Sequence, residues 1–287
     1  MKPLRLGCVK YLNARPLIRG WPGKVEFDHP SALCQRLAKG QLDVALVSSF
    51  EFLRNPIYRI VDNVSISSDG PVYSVIVAHR GELSDIHEIE LDRASQSSVN
   101  LLLCLLAARR LKPRLIRNID FQSACPAGFE AASSGTAENI SAGHTGEMPM
   151  FRMPHRAYLL IGDQAILFRQ EHAAEFQFWD LGTQWKELTG LPFVYALWLI
   201  RPEVSDAKSI AERLRSLRDQ NLADLGRVVA DAADAKQALT QEFLNRYYHE
   251  CLRFGFGPRE KEGLQTFADL CANQRLLPKR LHEISLV

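Results

Sequence analysis

The chain has 287 residues, 46% of them hydrophobic and 24% charged, with a formal net charge of +2. These values fit one large globular domain or two lobes, and acids and bases spread along the chain leave no electrostatic footprint for nucleic acid. Arg5, Lys10 and Arg15 interrupt the N-terminal segment, and no apolar run is long enough to span a bilayer, so a cytoplasmic protein with no membrane partner is expected.

Residues 4–12, LRLGCVKYL, read as a strand. Asn13 follows it with the side chain of a helix N-cap, ahead of a short helix that has Pro16 in its first turn and Gly20 as its stop. An amphipathic helix over 30–39 closes at Gly40, and the nearly continuous apolar run 42–47 suits a buried parallel strand ending in Ser48 and Ser49. Further strands are predicted over 58–62 and 72–78, the second entered through the turn Asp69-Gly70-Pro71. Residues 95–111 carry the broad apolar face of a helix, opened by Ser95, Ser97 and Ser98 and followed by Pro113. The segment near 121–150 is rich in Ser, Ala and Gly without a sustained period, which predicts a long loop or a poorly ordered insertion. Residues 158–161 form a strand running into Gly162-Asp163, and 193–200 another, rich in Val, Tyr, Ala and Trp. After Pro202 the pattern turns helical, over 208–219, 223–233, 237–253 and 258–272. Strands alternating with helices predict an α/β fold.

Chemistry-bearing residues fall where strands end. Asn13 closes the first strand, Ser48 and Ser49 the second parallel one, and Ser97 and Ser98 stand at a helix start whose free N–H groups suit an anion. Each has a structural alternative: a cap for Asn13, strand termination for Ser48 and Ser49, first-turn solvation for Ser97 and Ser98. Ser74 lies amid Val72, Val75, Ile76 and Val77, where a buried hydroxyl must find a partner. Asp163 reads as a helix cap or as a group that orients a cleft, with the cap favoured. Trp185 and Trp198 read as core residues. The six cysteines form no CxxC pair and read as reduced core thiols, and the histidines lack zinc-ligand spacing, so no metal and no organic cofactor is expected.

Five strings in order carry a family likeness: VKYLNARPL (9–17), VALVSSFEFLRNP (44–56), SDGPVYSVIV (68–77), LLIGDQAI (159–166) and DLGTQWKELTGLPFVYALW (180–198), with RFGFG (253–257) beyond them. Together they resemble the chorismate dehydratase family of the futalosine route to menaquinone, over nearly the whole chain. The resemblance implies a type II periplasmic-binding-protein-like fold of two α/β lobes with a cleft between them. The first lobe is expected over 1–75 plus 197–287, the second over 76–196, with crossings near 74–77 and 193–198. The 121–150 insertion departs from the family's shorter connection.

The same resemblance implies chorismate as the small-molecule substrate and a carbon–oxygen lyase that removes water from it. Asn13 and Ser74 match substrate-contacting polar positions, and Ser97-Ser98 match the hydroxyl pair at the helix start. Arg15, next to Asn13, is the cation best placed for the carboxylates, with Arg54, Arg152 and Arg156 as alternatives and surface solvation as the default for all four. The matched strings hold no His or Glu at a strand end, which suggests that the substrate's own enolpyruvyl carboxylate takes the proton. Two competing readings remain at this stage: a small-carboxylate solute-binding protein on the same fold, and a 1,4-dihydroxy-6-naphthoate synthase. Relatives of the latter open with a Pro-Asn-Asp type string where this chain reads YLNARPL.

Overall fold

The computed structural model describes residues 3–92, 95–116, 155–236, 238–279 and 284–287. The predicted insertion at 121–150, with Cys125, and Arg152 lie outside the described residues. Ten strands form two sheets of five among the described residues. The first sheet holds β1 (Leu6–Cys8), β2 (Val25–Phe27), β3 (Val44–Ser48), β4 (Arg59–Ser68) and β10 (Phe193–Ile200), in the order β2-β1-β3-β10-β4. The second holds β5 (Val75–His79), β6 (Glu88–Glu90), β7 (Arg114–Ile116), β8 (Arg156–Ile161) and β9 (Gln177–Asp180), in the order β7-β6-β8-β5-β9.

The two sheets repeat one plan. Three strands run parallel, and a fourth, β10 or β5, runs antiparallel between the third and the last. That inserted strand is in each case the first one after the chain crosses between lobes. β3 and β5 are buried at every position, because each has a strand on both edges and helices over its faces. Continuous apolar runs such as VALV and VIVA are what such strands require.

The helices are α1 (Arg15–Ile18), α2 (Pro30–Ala38), α3 (Ser49–Arg54), α4 (Gln96–Ala108), α5 (Gly162–Glu171), α6 (Leu181–Thr189), α7 (Ala207–Ala223), α8 (Leu225–Ala235), α9 (Gln241–Arg246) and α10 (Pro258–Asn273). Trp185 and Trp198 are fully buried, as core residues should be, and the five described cysteines are free. No described helix is long and apolar enough to cross a membrane.

Several boundaries move. The first strand is shorter than 4–12, because its neighbour β2 offers only three residues to pair and the chain then turns into a 3-10 segment, Leu12–Ala14. The crossings lie at 69–74 and 190–192 rather than near 74–77 and 193–198, since β5 pairs wholly within the second sheet and β10 wholly within the first. Gly182, in the DLGTQW string, is needed at the first crossing. A Cβ there would stand 2.4 Å from the Gly70 carbonyl oxygen, and that backbone cannot easily give way.

Candidate functional site

The predicted residues gather where the lobes meet, in two hydrogen-bonded groups. The first is a cluster of hydroxyls. Ser48 and Ser49, where β3 passes into α3, face Ser97 in the first turn of α4, with Oγ–Oγ distances of 2.6 and 3.1 Å. Ser49 donates to the Val194 carbonyl at 2.6 Å and Ser97 to that of Tyr195 at 2.9 Å. A hydroxyl has one proton, so Ser49 and Ser97 spend theirs on β10, and Ser48 donates to Ser97. The cluster therefore joins α4 of the second lobe to α3 and β10 of the first. Ser98 sits one residue on, 3% exposed, and its N–H bonds the Ser95 Oγ that caps α4.

The second group surrounds Asn13 and Ser74. Asn13 is not a helix cap: it lies inside the 3-10 segment, and Ala14 precedes α1 without any side-chain cap bond. Its Oδ1 is buried and has no hydrogen-bond partner. Arg15 gives Nη1 to the Asp231 carbonyl at 2.9 Å, while its Nε is likewise buried and unpartnered. Buried polar atoms are nearly always satisfied, because an unmade bond costs about 1–3 kcal/mol. An amide acceptor and a guanidinium donor are thus both without a partner two residues apart at the lobe junction.

Asp163 does not cap α5 either. It occupies the first turn of that helix and reaches to the other lobe, where Oδ1 accepts the Leu12 N–H at 2.8 Å and Oδ2 pairs with Lys236 Nζ at 3.3 Å. Burial raises its carboxyl above the ordinary value of 3.8, and the Leu12 N–H and Lys236 pull it part of the way back. Gly162, beside it, has φ +60°, and a Cβ there would meet the Tyr11 ring at 3.1 Å. Residues 11–13 and 162–163 thus close on each other from opposite lobes.

Ser74 ends the first crossing. Its N–H bonds the Val72 carbonyl two residues back at 2.7 Å, with Tyr73 between them at φ 64°. This tight turn, with a positive φ at a non-glycine residue, stores strain and must be held by its surroundings. Asp180 holds it, accepting from Val72 N at 3.1 Å and Tyr73 N at 2.8 Å while also capping α6 through Thr183 N. Arg169 pairs with Asp180 and stacks 4.2 Å from the centre of the Tyr73 ring. The Ser74 Oγ accepts from the Tyr247 hydroxyl at 2.8 Å, and its own nearest acceptor is the Val72 carbonyl, 3.4 Å away.

Sequence reasoning passed over Tyr11, Tyr247, Tyr248, Lys236 and Asp180. The aromatic residues look like core and the charged ones like surface until the lobes are packed. Only Asp180, at the head of the DLGTQW string three residues before Thr183, carried a usable cap signal. Of the alternative cations, Arg54 pairs with buried Glu51, and Arg156 with Glu88 and Glu90. Among the described residues no group of three or more His, Cys, Asp and Glu could hold a metal ion. Two surface cavities, of about 420 and 220 Å³, lie elsewhere, one lined by Asp62, Arg215 and Val287, the other by Leu105, Gln184 and Leu188.

Two α/β lobes with this strand order define a periplasmic-binding-protein-like fold. Solved structures agree. A crystal structure of a protein from Archaeoglobus fulgidus superposes with a TM-score of 0.68 at 16% identity, covering 96% of this chain and 98% of that one. The alkanesulfonate-binding protein of Xanthomonas axonopodis pv. citri, bound to MOPS, gives 0.63 at 17% identity, with 97% and 95% covered. Within that class, residues 4–132 and 134–273 match the family described as menaquinone biosynthesis, and the chain belongs to that family. It is also 29% identical to the chorismate dehydratase of Thermus thermophilus, over 94% of this chain and 95% of that protein.

Proposed function

We propose that the protein dehydrates chorismate to 3-[(1-carboxyvinyl)oxy]benzoate, the first step of futalosine-dependent menaquinone synthesis. The observation that carries this reading is the likeness to a named chorismate dehydratase along almost the full length of both chains. The reaction breaks the C3–H and C4–O bonds of the ring. The C–H electron pair becomes the new ring double bond, and the C4 oxygen leaves with a proton as water. No electrons enter or leave, and the aromatic product makes the step downhill. The protein must hold a dianion, orient it and assist the departing oxygen, which pre-organised donors can do.

Residues that fit each task are at the lobe junction. The unmade donor of Arg15 and the amide of Asn13 suit a carboxylate and a ring hydroxyl. Ser74 is suited to donate a hydrogen bond to the leaving oxygen, because Tyr247 fills an acceptor site on its oxygen and its own proton has only a long contact to Val72. The serine cluster of Ser48, Ser49 and Ser97, with Ser98, suits the second carboxylate once the lobes part, which frees the Ser97 proton from Tyr195 and the Ser48 proton from Ser97. Both oxygens of Asp163 are already engaged, by Leu12 and Lys236. The C3 proton then goes to the substrate's own enolpyruvyl carboxylate, which passes it to the leaving hydroxide, so water departs and no protein group changes its protonation.

The test is incubation of the purified protein with chorismate, followed by chromatography against authentic product. Conversion supports the reading. Chorismate bound tightly but recovered unchanged would make the protein a receptor for small carboxylates instead.

A further inference from the structure

Helix α9 does not continue as an α-helix toward the RFGFG string. It passes into a π-helical turn, Tyr247–Cys251. Such turns are rare, and they concentrate at functional sites because one widened turn re-aims side chains. Here the turn begins with two consecutive tyrosines, 1% and 2% exposed, whose ring centres lie 5.7 Å apart. Adjacent residues on a regular helix do not face one another, yet both of these reach into the lobe junction. Tyr247 donates to the Ser74 Oγ at 2.8 Å, and Tyr248 donates to the Leu12 carbonyl at 2.9 Å.

The two acceptors are not equivalent: one belongs to Ser74, which was assigned a task above, and the other to the residue before Asn13, which was assigned one too. The Leu12 carbonyl is part of the peptide that joins Leu12 to Asn13. With Asp163 holding the Leu12 N–H at 2.8 Å, Tyr248 completes a grip on both polar groups of the residue before Asn13. Tyr247 acts on the hydroxyl of Ser74 itself and leaves that hydroxyl's proton free for a hydrogen bond to the leaving oxygen. Burial pushes the ionisation of both phenols upward, so both remain protonated donors.

We propose that Tyr247 and Tyr248 are positioning residues for the dehydration, acting separately: Tyr247 through Ser74, and Tyr248 through the Leu12–Asn13 peptide. This rests on the function proposed above. The π-helical turn lets one short segment serve both, so the amide of Asn13 and the hydroxyl of Ser74 keep a fixed separation.

The experiment is a set of double-mutant cycles on chorismate turnover. Tyr247→Phe and Tyr248→Phe are each combined with Ser74→Ala and with Asn13→Ala. Each Phe variant should lower kcat roughly threefold to tenfold, the value of one neutral hydrogen bond, with KM changed less than about twofold. Tyr247→Phe should cost nothing further in a Ser74→Ala background and its full factor in an Asn13→Ala background. Tyr248→Phe should show the reverse pattern. General loosening of the fold cannot produce that crossed pattern, since it slows every background alike. Four multiplicative doubles in an active enzyme would overturn the inference and leave the proposed function standing. A Phe variant that circular dichroism shows to be unfolded would assign its hydroxyl to stability, and would overturn the inference too. A folded wild type that leaves chorismate unchanged would overturn the function and the inference together.

Discussion

Gly162→Ala tests whether the approach of the two lobes at Tyr11 matters for turnover, and Gly190→Ala supplies its control. Both glycines have left-handed backbone, φ +60° and +71°. Placing alanine there costs about 1–2 kcal/mol in backbone strain. The stiffer unfolded chain returns about 0.4–1 kcal/mol. Gly190 has nothing within 4 Å of an added Cβ, so its variant should lose only that net difference. At Gly162 the new methyl meets three atoms of the Tyr11 ring at 3.1, 3.1 and 3.3 Å. Overpacking of this kind typically costs a further ~1–3 kcal/mol if the ring stays in place. If the ring yields, it drags on the adjacent Leu12–Asn13 peptide, and each ~1.4 kcal/mol lost from the transition state is about tenfold in rate. Urea unfolding and chorismate kinetics on both variants separate these outcomes. Gly162→Ala should be the less stable of the two, or the slower by about tenfold, or both. Equal stabilities together with unchanged kinetics in Gly162→Ala would show that the Tyr11–Gly162 approach carries no weight, and the lobe-junction site would lose its geometric support.

Three further outcomes are expected. Asn13→Ala and Ser74→Ala should each slow turnover by roughly tenfold to a hundredfold, the value of one charge-assisted hydrogen bond of about 1.5–3 kcal/mol, with smaller losses in unfolding free energy; wild-type kinetics in both would return them to structural roles. Asp163 should leave a mark on the pH dependence of stability. Its carboxyl is raised above 3.8 in the folded protein, chiefly by burial, so the folded state holds the proton more tightly than the unfolded one. The stability this confers is present below the unfolded value and is lost as pH rises through the folded one. Wild type minus Asp163→Asn should therefore slope downward from pH 3.8 upward in urea titrations, and a flat difference would refute the burial argument. Chelator should leave turnover unchanged, since the redox-neutral elimination proposed above asks only for hydrogen-bond donors; activity lost to chelator and restored by a metal would contradict this.

What could be read in advance, and what could not, follows from the range of the forces involved. The strands VALV of β3 and FVYALWLI of β10 were legible because burial on both faces demands unbroken apolar runs, a requirement that holds whatever the neighbours are. The Ser95 cap was legible in part, since capping is settled within four residues. The crossings were misplaced by a few residues because sheet membership depends on which partner a strand finds, and the partners of β5 and β10 are distant in sequence.

The site divides along the same line. Asn13 after a strand satisfies every local condition for a cap, and so does Asp163 at the start of α5. Both local readings fail through the packing of the other lobe. Leu12, from more than a hundred residues away, claims the Asp163 oxygen, and the packed lobes enclose the Asn13 oxygen without giving it a donor. The tyrosines are the extreme case. A helix carrying Tyr-Tyr near its end looks like any aromatic face, and the acceptors its widened last turn meets, on Ser74 and Leu12, lie far away in sequence. On the function proposed above, the residues that would meet a substrate stand at strand ends and are open to local reading, whereas the groups that fix their separation are contacts between lobes, made by partners distant in sequence.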